Sequence, residues 1–292
     1  MNERNEGRQV ALVTGHDGFI GSALLRTLPD LGWRAVGLVD AWGASVDLRD
    51  AAAVADTVAR VSPDIVFHMG GVSGPMQFSE DATTVLRVNI EGTQILLEAA
   101  AAAGSVRRVI LAGSVAGYAT GGPSGPEPDS IYGLTKRVAE LQAHLWARRT
   151  GHEATVLRIG SVYGVGRRSV NPMHQMVEQA VRTRRIKVVP HLMEPCIDID
   201  SCAKLVARLA NVTKLRPRYD VVADRPRAEE VASIISELTG ARVELCHEPP
   251  VATPEFPEGF DPAPLLRDTE MPAVLSLREG LKALTDAAVP VA

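Results

Sequence analysis

Blocks of apolar residues along the chain change their period in a regular order. Short, continuously apolar runs are typical of strands buried on both faces, whereas longer blocks with apolar positions every three to four residues are typical of helices. The predicted strands are residues 10–13, 35–39, 64–67, 108–112 and 154–159. One predicted helix begins after residue 21, and others cover residues 50–60, 82–103 and 131–150. A loop rich in glycine and proline is predicted over residues 120–130, before the last of these helices. Strands that alternate with helices of this length predict an α/β fold with a doubly wound parallel sheet.

The regular alternation ends near Gly166, and shorter segments follow. These helix-like and strand-like segments are residues 173–184, 187–189, 200–210, 219–222, 228–238 and 275–284. Residues 249–264 are rich in proline, which is typical of a loop or linker. We therefore predict a first domain over residues 8–166 and a smaller C-terminal lobe over residues 167–292. Helices around Asp200 and Glu229 are candidates for packing back on the sheet.

Three glycines, Gly15, Gly18 and Gly21, separate the first predicted strand from its helix. Residues without a Cβ allow a tight turn and a close ligand, and the N–H groups and dipole of the helix favour negative charge there. Asp40 lies nineteen residues after Gly21, where a carboxylate can accept hydrogen bonds from a ribose. A purely structural turn is the alternative. The combination favours a Rossmann-type fold that binds NAD, because the carboxylate would repel the 2′-phosphate of NADP.

Three further polar residues follow the predicted strands. Ser114 comes just after the fourth strand, at the sheet edge where open parallel sheets bind ligands. Tyr132 and Lys136 are four residues apart and therefore share one face of the following helix. On its own, such a pair would favour a packing tyrosine and a solvated lysine. The order of the glycine turn, Ser114 and the pair favours a catalytic group.

These residues resemble the motifs of the extended short-chain dehydrogenase/reductases, the NAD-dependent sugar epimerase/dehydratase group. The matching motifs are Thr-Gly-x-x-Gly-Phe-Ile-Gly at residues 14–21, Asn-x-x-Gly-Thr at 89–93, Ser-x-x-x-Tyr at 114–118, Tyr-Gly-x-x-Lys at 132–136 and Val-Tyr-Gly at 162–164. The resemblance extends over about residues 9–240 and is weaker in the last third, where a degraded Val-Asp-Asp segment is found at residues 197–201.

The resemblance implies a role for each of these groups. Tyr132 would be the acid/base, Lys136 would bind the nicotinamide ribose, and Ser114 would hydrogen-bond the reacting oxygen of the substrate. The residues implied to bind the cofactor are Gly15, Gly18, Phe19, Ile20, Gly21, Asp40, Asp47, Leu48, Met69, Gly70, Tyr132, Lys136 and Ile159. By spacing alone, Ser161 and Asn171 join Ser114 as candidates for contact with the substrate.

Composition narrows the choice of partners. The net charge of −4 gives no electrostatic reason to expect nucleic acid or an anionic membrane as a partner. No apolar run approaches the ~18 residues of a membrane span, and the polar start does not resemble a signal peptide. Cys196, Cys202 and Cys246 lack the spacing of metal ligands. We therefore predict a cytoplasmic protein with reduced cysteines and without a metal site.

These observations predict an NAD-dependent oxidoreductase or epimerase. Hydride transfer would occur at a secondary alcohol or ketone of a sugar, sugar acid or similar polyol. Two alternatives stay open: an epimerase or 4-ketoreductase of UDP-, dTDP- or GDP-sugars, and a non-catalytic NAD(P)-binding sensor. Glu194 favours a small substrate, because relatives that use nucleotide sugars often place an arginine just ahead of the Val-Asp-Asp segment. Family members commonly dimerise through the Tyr/Lys helix, where Val138, Leu141 and Leu145 would supply an apolar face of a homodimer.

Overall fold

The protein is described by a computed structural model that covers residues 8–72, 81–246, 256 and 259–288. Its centre is a parallel sheet of six strands. These are β1 (Val10–Thr14), β2 (Arg34–Gly37), β3 (Ile65–His68), β4 (Arg108–Ala112), β7 (Glu153–Ile159) and β11 (Arg218–Val221). They lie in the order β11-β7-β4-β3-β1-β2. All six strands run parallel, and the chain adds β2 on one side of β1 and the later strands on the other. This change of side at β1 is that of a doubly wound sheet, so the predicted fold class is confirmed.

Helices cover both faces of the sheet. In chain order they are α1 (Phe19–Thr27), α2 (Ala51–Val61), α3 (Ala82–Leu86), α4 (Gly92–Ala103), α5 (Ile131–Thr150), α6 (Pro172–Thr183), α7 (Ile199–Arg208), α8 (Ala228–Thr239), α9 (Ala263–Asp268) and α10 (Leu277–Ala288). One buried cluster joins α1, α7 and α9 to the sheet, and a second joins α2, α4 and α5 to the opposite face. None of the helices in the described ranges combines the length and apolarity needed to cross a bilayer.

Short polar residues decide where several of these helices begin. Asp50, Ser130 and Asn171 precede α2, α5 and α6, and each side chain accepts hydrogen bonds from backbone N–H groups of the first turn. Gly104 and Gly151 end α4 and α5 in the left-handed conformation that glycine adopts without strain. The predicted start and end of α5 are therefore those of the structure.

The central sheet also contains a strand from the C-terminal side of the domain boundary predicted between residues 166 and 167. β11 pairs with β7 as the edge strand, and α7 packs beside α1. Of the two helices expected to return to the sheet, the one near Asp200 is α7 and does so, whereas the one at Glu229 is α8 and does not. The division into 8–166 and 167–292 stays a prediction.

The remaining strands are short and pair outside the central sheet. They are β5 (Thr120–Gly122) with β6 (Gly125–Glu127), β8 (Ser161–Tyr163) with β10 (Cys196–Asp198), and β9 (Arg185–Val188) with β12 (Arg242–Leu245). A third buried cluster joins α6, α8 and α10 around β9 and β12. Most of the proline-rich stretch predicted at 249–264 lies outside the described residues.

Three local predictions need correction. β2 ends at Gly37 rather than at residue 39, because Val39 forms an antiparallel bridge with Ser45 and the chain folds back. The loop expected at residues 120–130 contains the β5–β6 hairpin. The helix expected over residues 82–103 is interrupted by a π-helical segment, Arg87–Glu91, which carries the buried Asn89. The spacing of apolar residues in the sequence does not reveal a π-helical segment, because the segment shifts the helical pattern by only one residue.

Candidate active site

A cleft of about 590 Å³ lies at the carboxyl ends of β1, β3, β4 and β7. Twelve of the residues predicted for cofactor, substrate or catalysis line it. They are Gly15, Gly18, Phe19, Ile20, Gly21, Met69, Ser114, Tyr132, Lys136, Ile159, Ser161 and Asn171. Among the described residues, Asp40, Asp47, Leu48 and Gly70 lie outside this wall. Tertiary structure therefore brings together most of a set that is spread over more than half of the chain.

The glycine turn is shaped by contacts that leave no space for side chains. Gly15 has a φ of +61°, and a Cβ there would lie 2.8 Å from the Cα of Gly70 at the end of β3. A Cβ on Gly21 would lie 2.1 Å from the carbonyl oxygen of Gly15. Gly18 caps α1 without a side chain, so no side-chain oxygen competes for the first N–H groups of the helix. These features fit the pyrophosphate of a dinucleotide, which needs close backbone approach and exposed N–H groups.

The residues predicted to bind the adenosine end are already engaged in local contacts. Oδ1 of Asp40 accepts hydrogen bonds from the backbone N–H groups of Trp42 (2.8 Å) and Ala44 (2.9 Å). Asp47 pairs with Arg49 at 2.6 Å, which lowers the pKa of its carboxyl group. Leu48 is buried against Gly70 and Gly92. The cofactor roles of Asp40, Asp47, Leu48 and Gly70 stay predictions.

Ser114, Tyr132 and Lys136 meet where β4 ends and α5 begins. Ser114 starts a 3₁₀ turn, Val115–Tyr118, and its Oγ accepts a hydrogen bond from the N–H of Ala116 at 3.1 Å. Nζ of Lys136 donates to the carbonyl oxygen of Ala112 at 2.9 Å and lies 5.6 Å from the centre of the Tyr132 ring. The expected convergence of the three side chains is therefore present in the structure.

Electrostatics distinguish these two ionisable groups from ordinary surface residues. Desolvation lowers the pKa of Lys136 to about 8, because burial penalises the ammonium. Desolvation also raises the pKa of Tyr132, while a hydrogen bond with Ser114 opposes this rise. The charge of Glu194 raises the Tyr132 pKa further and that of Arg167 lowers it. Perturbed groups that share a cleft are typical of an active site.

The substrate side of the cleft contains three charged side chains, of which the sequence analysis had singled out Glu194. Arg167 and Glu194 line the wall near Tyr132, and so does Asp129. Desolvation raises the pKa of the Glu194 carboxyl, and the nearby Asp129 raises it further. Asn171 is buried, and its Nδ2 donates to Oγ of Ser161 at 3.1 Å. No sequence spacing would have assembled Asp129, Arg167 and Glu194, because three separate loops carry them.

A buried polar network supports the floor of the site. The N–H of Gly70 donates to Oγ1 of Thr14 (2.9 Å), which contacts Nδ1 of His68 (2.8 Å). Nε2 of His68 contacts Oγ1 of Thr93 at 2.9 Å, and that hydroxyl donates to the carbonyl of Asn89. Because the Thr93 hydroxyl donates its proton to Asn89, it can only accept from His68. The proton of the His68 ring is therefore on Nε2. Burial lowers the pKa of His68 to about 3, which keeps the ring neutral.

The side chain of Asn89 connects this network to α5. Its amide pairs with both backbone groups of Val72, at 2.8 and 2.9 Å, and donates to Oγ1 of Thr135 at 3.0 Å. Thr135 in turn donates to the carbonyl of Tyr132 at 2.7 Å. The π-helical segment therefore places one amide where it braces both the end of β3 and the first turn of α5.

Comparisons with known proteins agree with this geometry. Residues 11–209, more than half of the chain, match the model of the family described as NAD dependent epimerase/dehydratase. The dTDP-L-rhamnose 4-epimerase of Burkholderia thailandensis is 26% identical over 81% of this chain and 82% of that protein. A uronate dehydrogenase of Pseudomonas syringae pv. tomato is 36% identical over 52% of this chain and 59% of that protein. The Thermus thermophilus UDP-glucose 4-epimerase in complex with NAD has the same fold, with a TM-score of 0.77 at 21% identity over 96% of this chain and 99% of that one.

The charges beside Tyr132 predict opposite pH shifts for two variants. If Tyr132 is the base of an alcohol oxidation, the reaction needs its phenolate, and kcat/KM falls as the pH drops through the Tyr132 pKa. Glu194→Gln removes a charge that raises this pKa, so the fall in kcat/KM should move to lower pH. Arg167→Gln removes a charge that lowers the pKa, so the fall should move to higher pH. Profiles of kcat/KM against pH measure both shifts. Arg168→Gln, at an exposed neighbouring arginine, is the matched control and should move nothing. Shifts of the same sign in both test variants would contradict the assignment.

The carboxylate of Asp40 predicts a preference for NAD over NADP. Because its side chain also accepts two backbone hydrogen bonds, the test variant must keep an acceptor oxygen. Asp40→Asn retains an oxygen for the N–H groups of Trp42 and Ala44 while it removes the charge. We expect the Kd for NAD to rise about 10-fold, in the range of one hydrogen bond to a charged group, and the Kd for NADP to stay the same or fall. Calorimetry with both cofactors measures this change. Equal affinity of the wild type for NAD and NADP would refute the role of Asp40.

Proposed function

Because the chain belongs to the NAD dependent epimerase/dehydratase family, we propose that it acts on a small sugar, sugar acid or similar polyol that carries no nucleotide diphosphate. The reaction is NAD-dependent hydride transfer at a secondary alcohol or ketone. One observation carries the choice of substrate: Glu194 and Asp129 face the part of the cleft that holds Tyr132. Both are carboxylates, and the relative with uronate dehydrogenase activity supports a substrate of this size.

The side chains of the cleft have separate tasks in this reaction. Tyr132 takes the proton of the substrate hydroxyl during oxidation and returns it during reduction. Ser114 donates a hydrogen bond to the same oxygen and holds it against the phenol. The Lys136 ammonium stabilises the phenolate and binds the ribose of the cofactor. Bound NAD supplies the chemistry that these side chains lack, since it accepts or returns the hydride.

Electrostatic repulsion is the argument against a nucleotide diphosphate. A carboxylate ~4 Å from a phosphate oxygen costs about 4 kcal/mol at an effective dielectric constant near 20. Hydroxyl groups of a sugar instead donate hydrogen bonds to Glu194 and Asp129 without such a cost. Arg167 provides one positive charge beside Glu194, which suits the single carboxylate of a sugar acid better than the two charges of a diphosphate.

A nucleotide-sugar epimerase is the second candidate. The relative from Burkholderia thailandensis, a dTDP-L-rhamnose 4-epimerase, aligns with 81% of this chain, and Arg167 gives the substrate side of the cleft one positive charge. Calorimetry with UDP, dTDP and GDP on the NAD-loaded protein separates the candidates. We expect no binding at micromolar concentrations. Micromolar affinity for any one of the three would reverse the choice in favour of the nucleotide sugar.

Product analysis tests the reaction itself. We expect reduced NAD, or an epimer detected by chromatography, when the protein is incubated with NAD and a panel of free sugars, sugar acids and polyols. Reduced NAD indicates a dehydrogenase, and an epimer without net reduction indicates an epimerase. Neither product with any substrate would favour a non-catalytic sensor that binds the dinucleotide.

Tyr132→Phe is the sharpest catalytic variant, because it removes only the ionisable oxygen. Turnover should fall by roughly 100- to 10,000-fold, the range of a lost acid/base group, while the Kd for NAD stays nearly unchanged. Ser114→Ala should lower turnover by roughly 10- to 1000-fold, as expected for one lost positioning donor. Stopped-flow rates and NAD titrations measure both effects. Wild-type turnover in Tyr132→Phe would rule out its role as the acid/base.

We further propose a homodimer that forms through α5. Leu141 and Leu145 are each 62% exposed, so the apolar stripe expected there does not belong to the core of one chain. Leu134 is 41% exposed on the same helix, about two turns before Leu141 and three turns before Leu145. Exposed leucines at helical spacing favour a symmetric helix pairing.

Leu145→Glu should therefore convert the protein to a monomer of 31.2 kDa without unfolding it. Burial of a charge at the centre of the contact disfavours association, whereas the isolated chain exposes that position already. Light scattering measures the mass. Leu245→Glu is the control, because Leu245 is 56% exposed in the C-terminal lobe. A wild type that is monomeric at micromolar concentration would contradict the proposal.

We assign residues 167–292 the role of a substrate-binding lobe and place the enzyme in the cytoplasm. Arg167, Asn171 and Glu194 support the first assignment, since all three line the substrate side of the cleft. Cys196 and Cys202 support the second, because both are buried free thiols, as is common where the compartment is reducing.

A further inference from the structure

A buried carboxylate lies on the catalytic face of α5 but outside the cleft. Tyr132, Lys136 and Glu140 follow each other at intervals of four residues, so they share one side of the helix. Glu140 is only 7% exposed, and its Oε2 accepts a hydrogen bond from the hydroxyl group of Tyr118. Tyr118 is 4% exposed and ends the 3₁₀ turn that Ser114 begins.

The turn from Ser114 to Tyr118 is therefore attached to α5 at two points. Near Ser114, Gly133 allows close approach, since a Cβ there would lie 2.3 Å from the carbonyl oxygen of Ala116. Four residues after Ser114, the hydrogen bond from Tyr118 to Glu140 holds the other end. Because a single helix carries both attachment points and Tyr132, the separation of Ser114 and Tyr132 depends on these contacts.

Three arginines surround this pair: Arg137 and Arg218 lie beside the Glu140 carboxylate, whereas Arg158 pairs with Asp220 and contacts the Tyr118 ring. Nη1 of Arg137 lies 3.5 Å from Oε2 of Glu140, and Nη1 of Arg218 lies 3.6 Å from Oε1. The guanidinium of Arg137 lies 4.3 Å from the centre of the Tyr118 ring. The guanidinium of Arg158, a residue of β7, lies 4.7 Å from the same centre. Burial and the charge of Glu140 raise the pKa of Tyr118, so its phenol keeps the proton that it donates.

We propose that Tyr118 and Glu140 are a positioning pair that sets the Ser114 hydroxyl against the phenol of Tyr132. A hydrogen bond to a carboxylate is stronger and more directional than one between neutral groups, which suits it to holding a short turn in place. Neither residue lines the cleft among the described residues, so the pair acts through Ser114 and not on the substrate. The inference rests on the proposed function, because it assigns Ser114 and Tyr132 to one reacting oxygen.

Tyr118→Phe tests the pair by removal of one oxygen. Displacement of Ser114 should lower kcat by about 10- to 100-fold, because small misplacements of a reacting group are costly, while KM and the Kd for NAD change less than about 2-fold. The Ser114 hydrogen bond lowers the pKa of Tyr132, so that pKa should rise in the variant. Glu140→Gln retains an acceptor oxygen and should lose less activity than Tyr118→Phe.

Tyr219→Phe is the matched control. Tyr219 is 2% exposed, and its hydroxyl donates to Asp268 at 2.9 Å, so the variant also removes a buried hydrogen bond from a tyrosine to a carboxylate. It lies on β11 and should lower the melting temperature without any change in kcat or in the Tyr132 pKa. If the Tyr132 pKa in Tyr118→Phe is unchanged, as expected for this control, the pair is only structural and the inference is overturned.

A spectroscopic titration separates this test from the proposed function. The absorbance change on phenolate formation, taken as the difference between each protein and its Tyr132→Phe variant, reports the pKa of Tyr132 without any substrate. A higher value in Tyr118→Phe than in the wild type supports the pair, even where no substrate of the panel reacts. An unchanged value overturns it, even where the panel identifies a substrate.

Discussion

The parallel register of four neighbouring strands determines where the chemistry of this protein lies. Thr14 of β1 pairs with His68 of β3, which pairs with Leu111 of β4, and Ala112 pairs with Leu157 of β7. The chain therefore leaves all four strands at one edge of the sheet. The glycine turn, the end of β3, Ser114 and the segment after Ile159 meet there because backbone hydrogen bonds hold the strands in this alignment.

Close backbone contacts then decide how near these segments come. The absence of side chains at Gly15 and Gly21 brings the glycine turn against β3 and α1, and Gly133 does the same for α5 and the turn after Ser114. Each contact joins a segment of the cleft wall to a neighbouring strand end or helix. A Cβ at any of the three would displace backbone atoms rather than a flexible side chain, so the cost would be high.

The same arrangement places costly charges beside one another. Desolvation disfavours the charged form of each group: it lowers the pKa of Lys136 and raises the pKa values of Tyr132 and Glu194 in the same cleft. Desolvated ionisable groups of this kind lower the stability of the folded chain, and they are common at functional sites. A buried polar network surrounds these groups. Neutral His68 contacts the hydroxyl groups of Thr14 and Thr93, and Thr135 links the Asn89 amide to the backbone carbonyl of Tyr132.

Local sequence determined the parts that short-range physics controls. Apolar runs located five strands of the sheet, capping residues located the start of helices such as α5, and the glycine spacing located the turn that fits a dinucleotide. Ser114, Tyr132 and Lys136 were identified through their family motifs and their place after a strand or on one helix face. These signals extend over a few residues, so they can be read without knowledge of the remainder of the chain.

Only the tertiary structure decided which distant residues meet. β11 joins the sheet from beyond the predicted boundary, and its short apolar segment does not reveal that it pairs with β7. Asp129, Arg167 and Glu194 share one cleft wall, and Tyr118 reaches Glu140 on the following helix, although no spacing links them. These contacts depend on the angles at which helices and loops pack on the sheet. Many side chains set those angles together, so no local pattern in the sequence records them.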